Sequence, residues 1–176
     1  MKLKNLNSYQ KKILICSIVG FLLFWQLESY FVYSLLNKGY SIKVNVTSSL
    51  PERFWWVDKN KTTNFKVGDY FMFLAPNDKM LTNGESTPLI KSIAGVAGDV
   101  VSIKGTGIYI NNKVMGHIWP KTGKGHVLHA IEPQTIKVGC YFAWTPALYS
   151  YDSRYTDIGL ICEKDHRILA SAKPLF

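Results

Sequence analysis

From Ile13 to Leu36 the chain is apolar except for one charged residue, Glu28. A run of this kind restricts a fold more than any motif, because it needs an apolar surrounding along its whole length. As a helix it extends ~36 Å at ~1.5 Å per residue, enough to cross a bilayer core of ~30 Å. Only Ile13 to Leu27 is free of charge, so the membrane part is short or tilted. Trp25, Tyr30 and Tyr33 suit the outer interface, where Glu28 also reaches water. A buried soluble helix and a cleaved signal peptide are the alternatives. No small-x-small cleavage site follows the run, which reads against the second.

Lys2, Lys4, Lys11 and Lys12 precede the span. The bias of positive charge toward the inside puts the N-terminus in the cytoplasm and about 140 residues on the far side. The expected organisation is a basic N-terminus over 1–12, a lipid-embedded anchor over 13–36 and one domain over 37–176. The net charge of +9 raises nucleic acid as a partner. The basic residues are scattered without a dense cluster, and the predicted topology faces the domain away from the cytoplasm, so no nucleic-acid role is expected.

Beyond the span the periodicity becomes that of strands. Phe65–Pro76 holds Gly68-Asp69 and then the apolar Tyr70–Leu74. Leu89–Val96 and Val100–Ile103 come next, then Gly107–Ile110 with an Asn111-Asn112 turn leading to Val114-Met115. Lys137–Trp144 and Ile158–Cys162 read as two further strands, and Asn77–Pro88 as a long surface connection. Short apolar runs separated by Gly, Asn and Pro describe an all-β domain built of hairpins. Cys140 and Cys162 sit near two of these strands. An oxidising compartment permits a bridge between them, and two unpaired buried thiols are the other reading. Cys16 lies in the span as a small apolar residue.

Two segments carry candidate chemistry. In Ser49-Leu50-Pro51 the proline fixes its own φ and biases Leu50 toward an extended conformation, which holds Ser49 on a stiff, open segment. A serine hydroxyl is a weak nucleophile and needs a base within reach. Lys91 stands in a strand pattern with Leu89 and Ile93 on its own face. If that face is buried, desolvation lowers the lysine pKa and leaves a neutral amine able to take a proton. A lysine at a strand edge, with its ammonium in water, is the plainer reading. Tyr149–Tyr155 is dense in hydroxyl, carboxylate and guanidinium groups. It reads either as a hydrogen-bonded corner or as a surface loop with an exposed Asp152–Arg154 pair that contributes little. His126 and His129 lack a third ligand in any recognised spacing, and no metal or cofactor is expected.

Four segments, in order, resemble the boxes of the type I signal peptidases, most closely the TraF-type branch that processes pilins in conjugative transfer. Asn45, Thr47, Ser49 and Pro51 match that branch's nucleophile box, Asn-x-Thr-x-Ser-x-Pro. Val67–Phe73 is similar to the Gly-Asp strand box. Lys91–Asp99 is similar to the lysine box, with Ser92 and Ala97 in place of its arginine and proline. Ser150–Tyr155 is similar to the C-terminal Ser-x-Asp-Ser-Arg box. Arg53 replaces a glycine usual in the branch. The methionine of the ordinary signal-peptidase nucleophile box is absent, which favours the conjugative branch.

The resemblance implies a mainly β fold: a single N-terminal transmembrane helix followed by a signal-peptidase-like all-β catalytic domain. It implies Ser49 as nucleophile and Lys91 as general base, with the Ser49 backbone N–H and the Thr47 hydroxyl as oxyanion donors. Ser150 would orient the Lys91 amine, braced by Asp152 and Arg154. It further implies a single-pass protein of a bacterial inner membrane with its catalytic domain in the periplasm. Its substrate would be a pilin precursor or another exported protein, and its partners conjugation or type IV secretion components. The acyl-enzyme would end in hydrolysis or in head-to-tail cyclisation. A general signal peptidase and a non-enzymatic anchored scaffold are the alternatives.

Overall fold

The structure, a computed structural model, describes residues 7–47, 49–76 and 86–175. They form two compact units, one ending at Tyr40 and the other beginning at Ser41.

The first unit is helix α1, Ser8–Asn37. It begins earlier than the apolar run because Asn7 and Gln10 form a capping box. The Asn7 side chain accepts from Gln10 N at 2.8 Å, and the Gln10 side chain accepts from Asn7 N at 3.0 Å. Two main-chain donors free at every helix start are thereby satisfied. The helix is long and apolar enough to cross a membrane, and none of its residues is buried within the protein. A helix apolar around its whole circumference needs protein or lipid against it.

The second unit is built of strands. Among the described residues these are β1 (Tyr40–Val44), β2 (Phe54–Asp58), β3 (Tyr70–Leu74), β4 (Pro88–Gly95), β5 (Val100–Lys104), β6 (Gly107–Ile110), β7 (Lys113–His117), β8 (Gln134–Thr135), β9 (Cys140–Trp144), β10 (Ile161–Cys162) and β11 (Ile168–Pro174). They make a seven-stranded sheet, β1-β2-β11-β3-β4-β9-β10, and a four-stranded sheet, β7-β6-β5-β8. The fold is mainly β with one apolar N-terminal helix. The β6–β7 hairpin turns at Asn111 and Asn112, with φ of 47° and 64°. Both values lie in the left-handed region that asparagine tolerates.

Four strands escape the sequence reading, one of them the two-residue β8. β1 and β2 flank the Ser49 segment, and β11 brings the C-terminal part of the chain between β2 and β3. In β11 the buried side chains are mostly small, Ala170, Ser171 and Ala172. They make a weak strand pattern but leave room for Trp55 and Met72 to pack. Two expected strands are shorter than their apolar patterns. Lys137 to Gly139 stands outside β9, with Gly139 at φ 72°, and Gly159 at φ 61° keeps Ile158 outside β10. Residues 77–85 of the expected surface connection lie outside the described residues, and Pro88 belongs to β4. Cys140 and Cys162 are register partners of β9 and β10 and are joined as a disulfide, with Cα atoms 4.0 Å apart.

The core sits on both sides of β4 and β9. One cluster, including Val101, Ile108, Ile136 and Phe142, joins the small sheet to β9. Another holds Phe71, Phe73, Ile93 and Ile161. At Gly95 the two sheets approach so closely that a Cβ would lie 2.7 Å from the Ile136 side chain. β4 lies between β3 and β9 and is thus pinned at its Gly95 end.

Candidate active site

Strand β4 carries Lys91 opposite Phe71 of β3, and only 4% of the lysine is exposed. The reading that leaves the ammonium in water fails here, because the side chain is buried. Lys91 Nζ donates to Ser150 Oγ at 2.8 Å. Burial pushes its pKa down from 10.5 to about 8. The Asp152 carboxylate works against that shift and the Arg154 guanidinium with it, both more weakly than desolvation. The result is an amine that exchanges its proton near neutral pH.

Ser49 stands in the loop between β1 and β2, and Asn45 ties that loop. The Asn45 Nδ2 group donates to the carbonyls of Leu50 and Glu52 at 3.2 and 3.3 Å. Its Oδ1 accepts from Thr47 N at 3.0 Å and Thr47 Oγ1 at 2.8 Å. Leu50, 5% exposed, pegs the loop into the cluster around Trp55 and Val57. Ser49 Oγ lies 2.9 Å from Thr47 Oγ1. The single Thr47 hydroxyl proton is engaged by Asn45, so the serine hydroxyl donates to Thr47. Sequence reasoning quoted Asn45 as part of a motif and gave it no task; its four bonds make it the organiser of this turn.

Ser49, Thr47, Asn45 and Lys91 line one groove of about 580 Å³, with Ile90 and Leu169 among its apolar walls. Among the described residues no hydrogen bond joins Ser49 to Lys91. For Lys91 to deprotonate Ser49, the serine would have to turn from Thr47 toward the lysine. Resting geometry of this kind is common where substrate tightens the catalytic bonds. β9 pairs with β4 only from Ser92, opposite Trp144, onward. The stretch Pro88–Lys91 therefore presents an edge toward the groove that is unpaired among the described residues.

Behind Lys91 the corner Ser150–Arg154 is buried, contrary to the exposed-pair reading. Asp152 is 0% and Arg154 1% exposed. Arg154 Nε and Nη2 donate to the two Asp152 carboxylate oxygens at 2.8 and 2.9 Å. The backbone N–H groups of Arg154 and Thr145 donate to the same carboxylate. The guanidinium then clamps main chain: Nη2 donates to the carbonyls of Ala147 and Ser150, each at 3.1 Å, and Nη1 to that of His117 at 3.4 Å. Ser153 Oγ donates to Gly159 O and accepts from Ala143 N, fastening the corner to β9. The ion pair thus fixes Ser150, and Ser150 fixes the lysine amine. The dense hydroxyl, carboxylate and guanidinium content of Tyr149–Tyr155 points to such a corner, while the backbone carbonyls that accept from Arg154 carry no local sequence signal. Among the described residues no three His, Cys, Asp or Glu side chains converge as a metal site.

The profile of one protein family, signal peptidase, peptidase S26, matches residues 11–174. The chain belongs to the peptidase S26 family. It is accordingly a serine endopeptidase of the signal-peptidase class, and the match runs through the apolar helix and both sheets. Among solved structures, a signal peptidase I from Enterococcus faecalis V583 is similar, with 16% identity, a TM-score of 0.38, and coverage of 63% of this chain and 98% of that one. No curated protein sequence matches significantly.

Proposed function

We propose that this peptidase S26 member works through a Ser49/Lys91 dyad and matures an exported precursor of the conjugative-pilin type. The observation that carries the dyad is the buried Lys91 amine, held by Ser150 in the groove that Ser49 also lines. With its pKa lowered to about 8, a sizeable share of Lys91 is neutral and able to act as a base near physiological pH.

The substrate lies extended against the open edge of β4, its carbonyl beside Ser49. Ser49 Oγ swings from Thr47 to Lys91, gives its proton to Nζ and attacks the scissile carbonyl. The Ser49 N–H and the Thr47 hydroxyl, once released from Asn45, donate to the oxyanion; such donors contribute ~10²–10³ in rate. Lys91 returns the proton to the departing amine, leaving an ester on Ser49. Water then releases an acid, or an amine held close attacks in its place and forms a new peptide bond, favoured by high effective molarity. In this reading α1 spans a bacterial inner membrane with the N-terminal lysines in the cytoplasm, and the catalytic unit meets its substrate on the periplasmic side.

The test is the intact mass of a pilin precursor co-expressed with this protein or with its Ser49→Ala variant. Shortening by the wild type alone supports pilin maturation, and a product one water lighter than the linear fragment means a ring. Equal masses with both proteins overturn the pilin assignment.

A further inference from the structure

A second concavity, of about 610 Å³, adjoins the first. Ser150 lines it, Lys91 lines the Ser49 groove, and the two meet at the hydrogen bond between those side chains. Among the described residues none lines both. Its size falls within the ~300–1,000 Å³ typical of ligand pockets. One wall is aromatic: the Trp119 and Tyr149 rings pack with centroids 5.3 Å apart, and Tyr151 stacks on Tyr155 at 6.0 Å. Trp119 Nε1 donates to Leu148 O at 3.2 Å, tying that wall to the segment that presents Ser150.

The rim is cationic. Lys121, Lys124 and His126 sit on a hairpin closed on itself by Thr122 N to His126 O at 2.8 Å, His126 N to Thr122 Oγ1 at 3.1 Å, and Leu128 N to Pro120 O at 2.9 Å. Among the described residues neither lysine has a carboxylate within ion-pair distance. Asp157, close to the aromatic wall, accepts from the Tyr151 hydroxyl. A preformed loop thus holds two uncompensated charges over an aromatic floor, beside the positioner of the general base.

We propose that this pocket seats the part of the substrate beyond the scissile bond and selects it by a carboxylate. That carboxylate is an Asp or Glu side chain a few residues after the cleaved bond, or the chain terminus itself. The inference rests on the reading of Ser49 and Lys91 as nucleophile and base. The acyl portion occupies the Ser49 groove, and the departing amine takes its proton from Lys91. The chain that follows that amine therefore leaves past Lys91, where Ser150 opens into the second pocket.

The test uses the full-length chain in detergent micelles and a proteome-derived peptide library, one half with free C-termini and one half amidated. Cleaved bonds are read by mass spectrometry, with Ser49→Ala as background. Expected is a roughly three- to tenfold enrichment of carboxylates after the cleaved bond, the range that one or two exposed ion pairs support. Asp and Glu enriched in both halves identify side chains as the source, and cleavage near free but not amidated ends identifies the terminus. Lys121→Glu/Lys124→Glu should reverse the preference, and Lys121→Gln/Lys124→Gln should flatten it. Ser49-dependent cleavage without enrichment, or with enrichment unchanged in both variants, overturns this proposal and leaves the dyad standing. Absence of Ser49-dependent cleavage removes the dyad and the proposal together. A defect of the variants that follows anionic lipid added to the micelles, and not substrate charge, assigns the lysines to the membrane surface and also overturns it.

Discussion

A protonated amine buried in an interior strand is less stable than one in water, so Lys91 strains the fold for as long as it holds its proton. Below pH 8 both the folded and unfolded chains carry that proton, and the penalty is present in full. Between about 8 and 10.5 the folded chain has lost it while the unfolded chain still binds it. The unfolded state then binds more protons, and stability rises with pH. Above 10.5 the two states match again. The drop from 10.5 to about 8 corresponds to ~3 kcal/mol, reduced by whatever the Ser150 bond returns. Lys91→Met should therefore be more stable than wild type at pH 7 by up to ~3 kcal/mol, with the gap closing by pH 10.5. Denaturant unfolding of both proteins at pH 7 and pH 10 measures this, and a gap independent of pH would contradict it. In the proposed dyad the same amine sets the rate. Below pH 8 activity should rise about tenfold per pH unit, then level off above it, and Lys91→Arg should be inactive because a guanidinium keeps its proton. A profile flat from pH 6 to 9 would remove Lys91 as the base. Asn45 acts by position alone. Asn45→Ala frees the Thr47 hydroxyl and unties the turn, so kcat should fall ~10–10²-fold, as small misplacements of a reacting group do, with KM nearly unchanged. An unaltered kcat would show that the turn holds its shape without that side chain.

The clamp on Ser150 depends on a strand of the other sheet. Gly116 of β7 has φ +142°, and a Cβ there would lie 3.1 Å from Arg154 Nη1. Gly116→Ala has to strain the strand, at ~1–3 kcal/mol, or push the guanidinium off the carbonyls it holds. Activity should fall about tenfold or more with the Km of substrate little changed, while the melting temperature drops only a few degrees. A variant that melts lower yet keeps full activity would separate β7 from the site. This dependence marks the boundary of what the sequence can tell. Hairpins written in Asn-Asn and Gly turns, the strand around Lys91 and the long apolar helix are local patterns, and they read correctly. Ser49 and Lys91, which the sequence paired only through the resemblance, line one groove in the structure. β11 is not legible, since its Ala-Ser-Ala pattern gains meaning only against Trp55. At Asp152 and Arg154 the polar density suggests a hydrogen-bonded corner but leaves an exposed pair open, because nothing near a charged residue announces the carbonyls that will surround it.

At the scale of the whole chain, an apolar helix and a compact β unit divide the work. Among the described residues the β unit holds the hydrophobic clusters and the Cys140–Cys162 disulfide, and no member of those clusters belongs to α1. A chain of residues 38–176 should therefore fold by itself, with one cooperative unfolding transition. Every group proposed for catalysis also lies within it, so its kcat on short soluble peptides should stay within about threefold of the full chain's. The helix matters for substrates that are themselves held in a membrane. Two partners confined to one bilayer meet at an effective concentration far above that in solution, and such tethering raises apparent affinity by ~10²–10⁴ without any new contact. The truncated chain should accordingly lose two orders of magnitude or more against a precursor reconstituted in vesicles, and the full chain in the same vesicles should not. Parallel assays of the two chains on a soluble peptide and on the vesicle-bound precursor decide it. Loss on both substrates would mean that α1 supports the site itself, and loss on neither would mean that confinement plays no part in how the enzyme finds its substrate.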